Sequence, residues 1–334
     1  MQNKFDLDIK YEYDDVMIKP CYSTINSRSE VNLECTYSFG NDKTWTGIPI
    51  IAANMDTIGT FDMYRVLVKY KMLTALHKFY TVADYERESI KEQLDPNYYM
   101  VTTGISDADY EKFNNIQKYL NAENGWICID VANGYMSNFL EFCKRVRRDY
   151  PKKIIVAGNV VTAEMTKKLF DMGWIDVVKV GIGGGVVCET RKKTGIGMPQ
   201  LSAVIEYATV GAIVADGGIK HPCDVAKAFG GGAKFVMMGG AFSGHDECAG
   251  EIVEENDIKY KLFYGMSSQY AMERHYGKMD KYRTSEGSVT KVKCKGSVEN
   301  TIIDYLGGLR STCAYVGAQN LSELFDKVTF IIRK

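Results

Sequence analysis

Cys188 stands in a sequence setting typical of covalent catalysis. A β-branched run, residues 177–180, ends at four glycines within five positions, and Cys188, Thr190 and Arg191 follow. Glycine serves where the backbone turns at positive φ or approaches a ligand, and such loops present N–H groups to anions or carbonyl oxygens to cations. We interpret residues 177–194 as a strand, a ligand-binding loop and a nucleophile. The alternative is an ordinary turn beside a small buried thiol.

The overall composition favours a small-molecule partner over nucleic acid or a membrane. The 334 residues carry 41 basic and 42 acidic side chains, a formal net charge of -1, so no bulk electrostatic attraction is expected. The first ten residues are charged where a signal peptide is apolar, and no apolar run approaches the ~20 residues of a membrane helix. Nine dispersed cysteines form no CxxC pair, which predicts reduced thiols in a cytoplasmic protein without a structural metal.

Short apolar runs alternate with helical patterns from residue 49 onward. The predicted strands are 50–53, 73–77, 99–103, 126–130, 154–157, 177–180, 213–216 and 235–238. The predicted helices are 61–71, 82–93, 107–120, 137–149, 162–171, 201–207, 223–229 and 321–326. Eight strand–helix units joined by right-handed crossovers favour an α/β fold, the closed (β/α)8 TIM barrel, over an open sheet.

The chain is predicted to be a single catalytic barrel domain spanning 1–334. Residues 1–48 form an N-terminal arm, and the barrel strands lie within 49–241. The strand–helix pattern then breaks, and we predict a long flap-like lid insertion over 242–318, followed by a final helix and tail, 319–334. Long insertions at the catalytic face of a barrel are often lids.

The carboxyl ends of the predicted strands carry polar residues or glycines. Active sites of TIM barrels gather at these ends, and the loops after the seventh and eighth strands commonly bind phosphate. Here those loops contain Asp216-Gly217-Gly218 and Gly239-Gly240, which are small enough to admit a phosphate to the backbone. Any one of these acids taken alone is better interpreted as a helix cap or a solvated turn, but all eight strand ends carry such groups.

Long sequence blocks resemble the IMP dehydrogenase/GMP reductase family over essentially the whole chain. They include YDDVMIKP, PIIAANMDTIGT, CIDVANGY, KVGIGGGVVCETRKKTGIG, DVAKAFGGGAKFVMMGG and LGGLRSTCAYVGA. The flap sequences YGMSS and YRTSEG match the reductase branch, and the inserted regulatory module of the dehydrogenases is absent. The resemblance therefore implies an NADPH-dependent oxidoreductase that converts GMP to IMP and ammonia in purine nucleotide interconversion.

The resemblance also implies a covalent mechanism. Cys188 would attack C2 of the purine as a thiolate, ammonia would leave, and the resulting thioimidate would accept a hydride. Thr190 would pass a proton, and Glu286 would orient Thr190 and act as the acid or base for the departing ammonia.

Binding residues carry over by position in the same way. The substrate set comprises Asp216, Gly217, Gly218, Gly239, Gly240, Gly265, Met266, Ser267, Arg283, Thr284, Ser285, Glu286 and Gly287. The NADPH set comprises Ser27, Arg28, Lys78, Asp130, Val131, Ala132, Ile182, Gly183, Met266, Tyr282, Arg283, Ser311, Thr312, Cys313 and Ala314. Ser27 and Arg28 would reach in from a neighbouring subunit of a homotetramer, and Arg28, Lys78 and Arg283 suit a 2′-phosphate. A monovalent cation, K+, would lie at Gly183, Gly185, Cys188 and Arg191.

Two residues depart from the family pattern G-x-G-P-G-S-V-C. Gly184 replaces the proline and Val186 replaces the serine, so we expect weaker nucleotide binding. The segment between Leu201 and Ile213 is also shorter than usual. Three alternatives stay open at this point: an IMP dehydrogenase without its regulatory module, a nucleotide-binding barrel with little turnover, and a flavin-dependent barrel.

Overall fold

Eight parallel strands close into a barrel, which confirms the predicted fold class. The computed structural model describes residues 6–40 and 42–333. The barrel strands, in sequence order around the barrel, are β4 (Ile50–Ala52), β5 (Leu73–Leu76), β6 (Tyr99–Thr103), β7 (Trp126–Asp130), β8 (Ile154–Val160), β9 (Val177–Val180), β10 (Ile213–Asp216) and β11 (Phe235–Met238). The barrel closes where Met237 of β11 pairs with Ile51 of β4.

The remaining strands lie outside the barrel. They are β1 (Val16–Ile18), β2 (Cys35–Phe39), β3 (Lys43–Gly47), β12 (Ile252–Glu255), β13 (Ile258–Tyr264), β14 (Val289–Lys293) and β15 (Phe330–Ile332). The helices are α1 (Phe61–Leu67), α2 (Val82–Lys91), α3 (Asp107–Leu120), α4 (Ser137–Asp149), α5 (Ala163–Asp171), α6 (Thr190–Thr194), α7 (Gln200–Ala208), α8 (Pro222–Gly230), α9 (Gln269–Tyr276), α10 (Glu299–Val316) and α11 (Leu324–Lys327). In the described ranges, no helix is long and apolar enough to cross a membrane.

Aromatic side chains fill the amino end of the barrel. The antiparallel hairpin β2–β3 places Trp45 against Trp126 and Phe235, with ring centroids 5.8 and 5.4 Å apart. The Trp45 indole N–H donates to the carbonyl of Asn97 at 2.8 Å, so burial leaves its polar atom satisfied. The opposite, carboxyl end holds the polar strand ends, as expected.

Short polar side chains cap four of the barrel helices directly after the strand-end loops. Thr60, Thr81, Ser106 and Thr162 each accept a hydrogen bond from a backbone N–H in the first turn of the following helix. Such caps satisfy amides that have no partner within the helix. Helices α3 and α4 have the predicted bounds, whereas the predicted helix 61–71 is α1 followed by a 3-10 turn, Val68–Tyr70.

Residues 242–318 contain more regular structure than the predicted lid. The antiparallel sheet β12–β13–β14 and helix α9 occupy its first part, and we call residues 242–298 the flap. Helix α10 follows and packs against α8, so α10 is the eighth barrel helix. The predicted final helix 321–326 is a 3-10 turn, Leu321–Glu323, followed by the single turn α11.

The helical signal of α10 is interrupted by two glycines, Gly307 and Gly308. Gly308 allows close approach, because a Cβ there would lie 2.6 Å from Cβ of Pro222 in α8. Glycine lowers helix propensity by roughly 1 kcal/mol, which explains why the pattern alone did not predict this helix. The assignment of the whole chain to a single catalytic domain stays a prediction.

The N-terminal arm packs back onto the barrel. Strand β1 pairs antiparallel with β15, with Val16 opposite Ile332. Lys227 of α8 donates to the carbonyl of Tyr13 at 2.8 Å. These contacts place arm residue Glu12 beside the loop that follows β9.

Candidate active site

The carboxyl end of the barrel opens into a cleft that contains most of the predicted site residues. Those that line it are Asp130, Val131, Ala132, Ile182, Gly183, Gly185, Cys188, Thr190, Asp216, Gly217, Gly218, Gly239, Gly240, Gly265, Met266, Ser267 and Glu286. They come from loops separated by up to 156 positions in the sequence. The barrel geometry alone brings these loops together, because the carboxyl ends of all eight parallel strands face the same side.

The glycine loop after β9 is tied to the loop after β10. Gly181 has φ +151, and a Cβ there would lie 1.9 Å from the carbonyl oxygen of Asp216, so only glycine fits. Gly218 N–H donates to the carbonyl of Gly184 at 2.9 Å. One amide of the predicted phosphate loop is therefore already engaged within the protein.

Cys188, Thr190 and Glu286 form a continuous hydrogen-bonded series. Cys188 Sγ lies 3.3 Å from Thr190 Oγ1, and the Thr190 hydroxyl donates to Glu286 Oε2 at 2.8 Å. Thr190 is the first residue of α6, and Glu286 arrives from the flap, 96 positions away. A half-buried thiol, a hydroxyl and a carboxylate in this order provide a path for a proton.

Backbone contacts hold the flap against this loop. Cys188 and Gly287 form an antiparallel bridge, and Glu189 N–H donates to the carbonyl of Glu286 at 2.7 Å. Glu286 N–H donates in turn to the carbonyl of Ser267 at 3.2 Å. The predicted substrate segments 265–267 and 285–287 are thus neighbours, and both lie beside Cys188.

A buried charge network forms the floor of the cleft. Lys179 is 1% exposed, and its Nζ lies 2.5 Å from Asp130 Oδ1 and 3.3 Å from Asp216 Oδ2. Asn159 donates to Asp216 at 2.8 Å. Burial alone lowers the pKa of Lys179, but Asp130 and Asp216 outweigh burial and raise that pKa above its usual value. Burial raises the pKa of Asp130, but Lys179, together with smaller contributions from Asn54 and Lys78, outweighs burial and holds that pKa below its usual value.

The sequence analysis missed Lys179 and Asn159. One signal was available for Lys179, because side chains in a strand alternate between faces. Val177 packs in the barrel interior, and Val178 and Val180 pack in the layer between strands and helices, which places Lys179 inward. A lysine at an inward position of a closed barrel indicates a buried ion pair.

Lys78 follows β5 at the carboxyl end of the barrel and lies between aromatic rings, but it is not among the residues that line the cleft. Its Nζ is 3.6 Å from Asp109 Oδ1, and 5.7 and 5.9 Å from the ring centroids of Phe79 and Tyr276. Burial alone lowers the pKa of Lys78, but Asp109 and Tyr276 outweigh burial and raise it. Lys78 therefore stays cationic at neutral pH in a partly desolvated position suited to an anionic group.

Several predicted residues lie away from the cleft wall. Tyr282, Arg283 and Thr284 are exposed on the flap, and Ser285 caps the turn by accepting from Gln269 N–H at 3.1 Å. Arg191 does not line the cleft and donates to Glu12 and to the carbonyl of Met198. Glu12 was not among the predicted site residues.

The predicted cofactor residues 27–28 and 311–314 pack together elsewhere. The 3-10 turn Arg28–Glu30 contacts α10, and Cys21 N–H donates to the carbonyl of Tyr315 at 3.0 Å. Arg310, which directly precedes Ser311 in α10, shares a groove with Ile48, which precedes β4 at the amino end of the barrel. Neither segment contributes to the cleft wall of the same chain.

The fold and the cleft define an enzyme of the TIM-barrel class, and comparison with known proteins identifies the family. The protein-family model for the IMP dehydrogenase / GMP reductase domain matches residues 10–334. GMP reductase of Shigella boydii serotype 4 (strain Sb227) is 52% identical over 335 residues, 98% of this chain and 96% of that protein. GMP reductase 1 of Homo sapiens is 51% identical over 334 residues, with the same coverage of 98% and 96%.

A solved structure gives the same result. Inosine 5′ monophosphate dehydrogenase from Legionella pneumophila superposes with a TM-score of 0.83 at 34% sequence identity, covering 98% of this chain and 99% of that chain. The chain belongs to the IMP dehydrogenase/GMP reductase family and is an oxidoreductase.

Proposed function

We propose that this enzyme converts GMP to IMP and ammonia with NADPH as the reductant. The observation that supports the proposal best is the series Cys188–Thr190–Glu286 at the carboxyl end of the barrel. Relatives that are more than half identical over nearly the whole chain are named GMP reductase. An amino group at a purine C2 leaves only after a nucleophile has added there, and the cleft contains one thiol for that step among its lining residues.

Cys188 supplies the nucleophile. Its sulfur bonds to C2 of GMP, the C2–N bond breaks, and the amine leaves as ammonia with the proton that the thiol loses. The C2 atom then carries a thioimidate to Cys188. Bound NADPH supplies the hydride that adds at C2. Cleavage of the C–S bond returns the electron pair to sulfur and releases IMP.

Thr190 and Glu286 move the proton in this scheme. The Thr190 hydroxyl lies between the thiol and the Glu286 carboxylate, at 3.3 and 2.8 Å. It can receive the thiol proton while it donates its own to Glu286, which then delivers a proton to the leaving amine. General acid–base groups placed in this way contribute typically about 10²–10⁴-fold to rate.

GMP binding rests on the loops around the glycine loop. Asp216, Gly217, Gly239 and Gly240 offer an acidic ribose partner and open backbone for the phosphate. Val186 lies beside them, 60% exposed, and a Cβ on Gly240 would be 3.2 Å from its Cγ2. An apolar side chain thus stands where the family has a serine hydroxyl, which supports the expectation of weaker phosphate binding.

The residues present fit a nicotinamide cofactor. Asn159 Oδ1 is buried and receives no hydrogen bond from any residue that the structure describes. It lies in the cleft wall with Asp130 and Val131, where the carboxamide N–H2 of a nicotinamide would satisfy it. Lys78 and its aromatic neighbours offer a cationic site for the cofactor's phosphates.

A monovalent cation and a tetramer complete the proposal. K+ prefers backbone carbonyl oxygens as ligands, and loop 181–188 offers several. Two of these oxygens already accept hydrogen bonds: that of Gly185 from Cys188 N–H, and that of Ile182 from Arg191. Residues 27–28 and 311–314 lie outside the cleft of their own chain and would complete a neighbour's cofactor site. Omission of K+ from the assay and sedimentation of the purified chain test these two points.

The function is tested by NADPH absorbance and ammonia release with GMP. Wild type should consume NADPH only when GMP is present, and Cys188→Ser should abolish consumption. Cys294→Ser is the matched control, because Cys294 is also a half-buried free thiol and should retain full activity. NADH formation from IMP and NAD+, with no reaction of GMP, would instead assign the dehydrogenase activity, which the superposed structure makes the second candidate.

A further inference from the structure

Asp56 connects the barrel rim to the flap through a single carboxylate oxygen. It follows β4 at the carboxyl end of the barrel and is 5% exposed. The Tyr264 hydroxyl donates to Asp56 Oδ2 at 2.7 Å, and His275 Nε2 lies 2.6 Å from the same oxygen. Hydrogen bonds to a carboxylate are roughly twice as strong as neutral ones. Oδ1 of Asp56 receives no hydrogen bond from the described part of the chain, so both contacts depend on Oδ2.

The Tyr264 branch leads to the substrate segment. Tyr264 is fully buried, is the last residue of β13, and directly precedes Gly265, Met266 and Ser267. Arg274 donates to the Tyr264 hydroxyl at 3.2 Å, so this hydroxyl both donates and accepts. A buried and doubly bonded hydroxyl restricts the backbone next to it, and that backbone lines the cleft beside Cys188.

The His275 branch leads to Lys78. His275 lies in α9, and its ring stacks on Phe79 with centroids 3.5 Å apart and planes inclined by 4°. Phe79 and Tyr276, which are the sequence neighbours of Lys78 and His275, provide the two rings nearest to Lys78 Nζ. The bond from His275 to Asp56 therefore holds the helix that encloses Lys78.

We propose that Asp56 is a positioning residue that holds the GMP segment through Tyr264 and the cofactor-side helix through His275. The two branches leave Asp56 toward different flap elements, β13 and α9, and the bond from Arg274 of α9 to the Tyr264 hydroxyl links them. Because that link, at 3.2 Å, is longer than the contacts of 2.7 and 2.6 Å with Asp56, each branch should act mainly on one ligand. This inference rests on the proposed function and adds to it how the flap is positioned for both ligands.

Three variants and steady-state kinetics test the inference. Tyr264→Phe removes one hydroxyl, and His275→Phe keeps the ring stack on Phe79 but loses the contact with Asp56. Tyr264→Phe should raise the KM for GMP about tenfold, and His275→Phe should raise the KM for NADPH about tenfold, which corresponds to roughly one lost hydrogen bond to a charged group. The other KM in each variant should change by less than about threefold. Asp56→Asn should raise both.

Tyr110→Phe is the matched control. Tyr110 is a buried tyrosine that donates to a carboxylate, Asp149 Oδ2, at 2.5 Å, between α3 and α4 and away from the flap. Removal of the Tyr110 hydroxyl should leave the KM values for GMP and NADPH unchanged. Amide hydrogen exchange over α9 should accelerate in His275→Phe and stay at the wild-type rate in Tyr110→Phe.

The outcomes separate the inference from the proposed function. Wild type that does not oxidise NADPH with GMP refutes the function, and exchange over α9 together with calorimetric GMP binding then decides the inference. If the wild type is active, the inference is overturned when both KM values shift equally in Tyr264→Phe and in His275→Phe, or when neither KM shifts in either variant. If Asp56→Asn does not fold, Tyr264→Phe and His275→Phe are sufficient for the test.

Discussion

Removal of the buried cation Lys179 should destabilise the folded protein at neutral pH. Lys179→Met deletes the ammonium group that lies 2.5 Å from Asp130 and 3.3 Å from Asp216 and leaves two carboxylates facing each other. Breaking a buried ion pair by removing one partner costs roughly 3–5 kcal/mol. The two carboxyl side chains are 35% and 22% exposed, so water screens them, and we expect the lower end, about 3 kcal/mol.

The loss of stability in Lys179→Met should become smaller as the pH falls. In wild type the pKa of Asp130 lies below its usual value, so its contribution to stability is present at neutral pH and lost only as pH falls through that lowered pKa. In Lys179→Met the cation is gone and burial raises the pKa of Asp130. Protonation then relieves the repulsion, so the stability of the variant relative to wild type should increase from pH 7 to about pH 5.

Urea denaturation at fixed protein concentration measures the difference in unfolding free energy between wild type and Lys179→Met. With an m value of about 3 kcal/mol/M, a loss of about 3 kcal/mol lowers the midpoint by about 1 M. Lys43→Met is the control, because Lys43 is also buried in a pair with a carboxylate, Asp176, yet Arg147 still pairs with that carboxylate. We expect a smaller loss there. A midpoint within about 0.3 M of wild type at pH 7, or an equal gap at both pH values, would refute the reasoning.

Three further predictions concern single side chains. Thr190→Ala should fold and lose about 10²-fold or more in turnover with GMP, while Thr190→Ser should recover most of it; unchanged ammonia release in the alanine variant excludes a proton-transfer role. Val186→Ser should lower the KM for GMP by about tenfold through one added bond to phosphate, and an unchanged KM would mean that the hydroxyl does not reach it. Burial lowers the pKa of His77 to about 4, so its NMR signals should not titrate between about pH 6 and 8. Its folded pKa lies below the unfolded value, so His77 should reduce stability as pH falls below about 6.5, and a titration midpoint near neutrality would contradict its burial.

Local sequence patterns were sufficient for the barrel. Each apolar run is short and is followed by a helix, and four of those helices begin at a serine or threonine cap, so strand and helix identity depend mainly on neighbouring residues. The observed bounds therefore differ from the predicted ones by a few residues. Helix α10 was not predicted because Gly307 and Gly308 weaken its helical pattern, and the close contact that Gly308 makes with Pro222 of α8 joins distant parts of the chain and leaves no local pattern.

The sequence by itself determined the closed barrel, the glycine loop and the pairing of Cys188 with Thr190 two positions later. Tertiary structure alone decided which distant groups meet them. Glu286 reaches Thr190 across 96 positions, and Asp56 meets Tyr264 and His275 across more than 200. These contacts depend on how the flap folds over the barrel rim. Lys179 illustrates both contributions. The sequence predicts the strand that carries it, whereas closure of the barrel brings its two carboxylate partners to it.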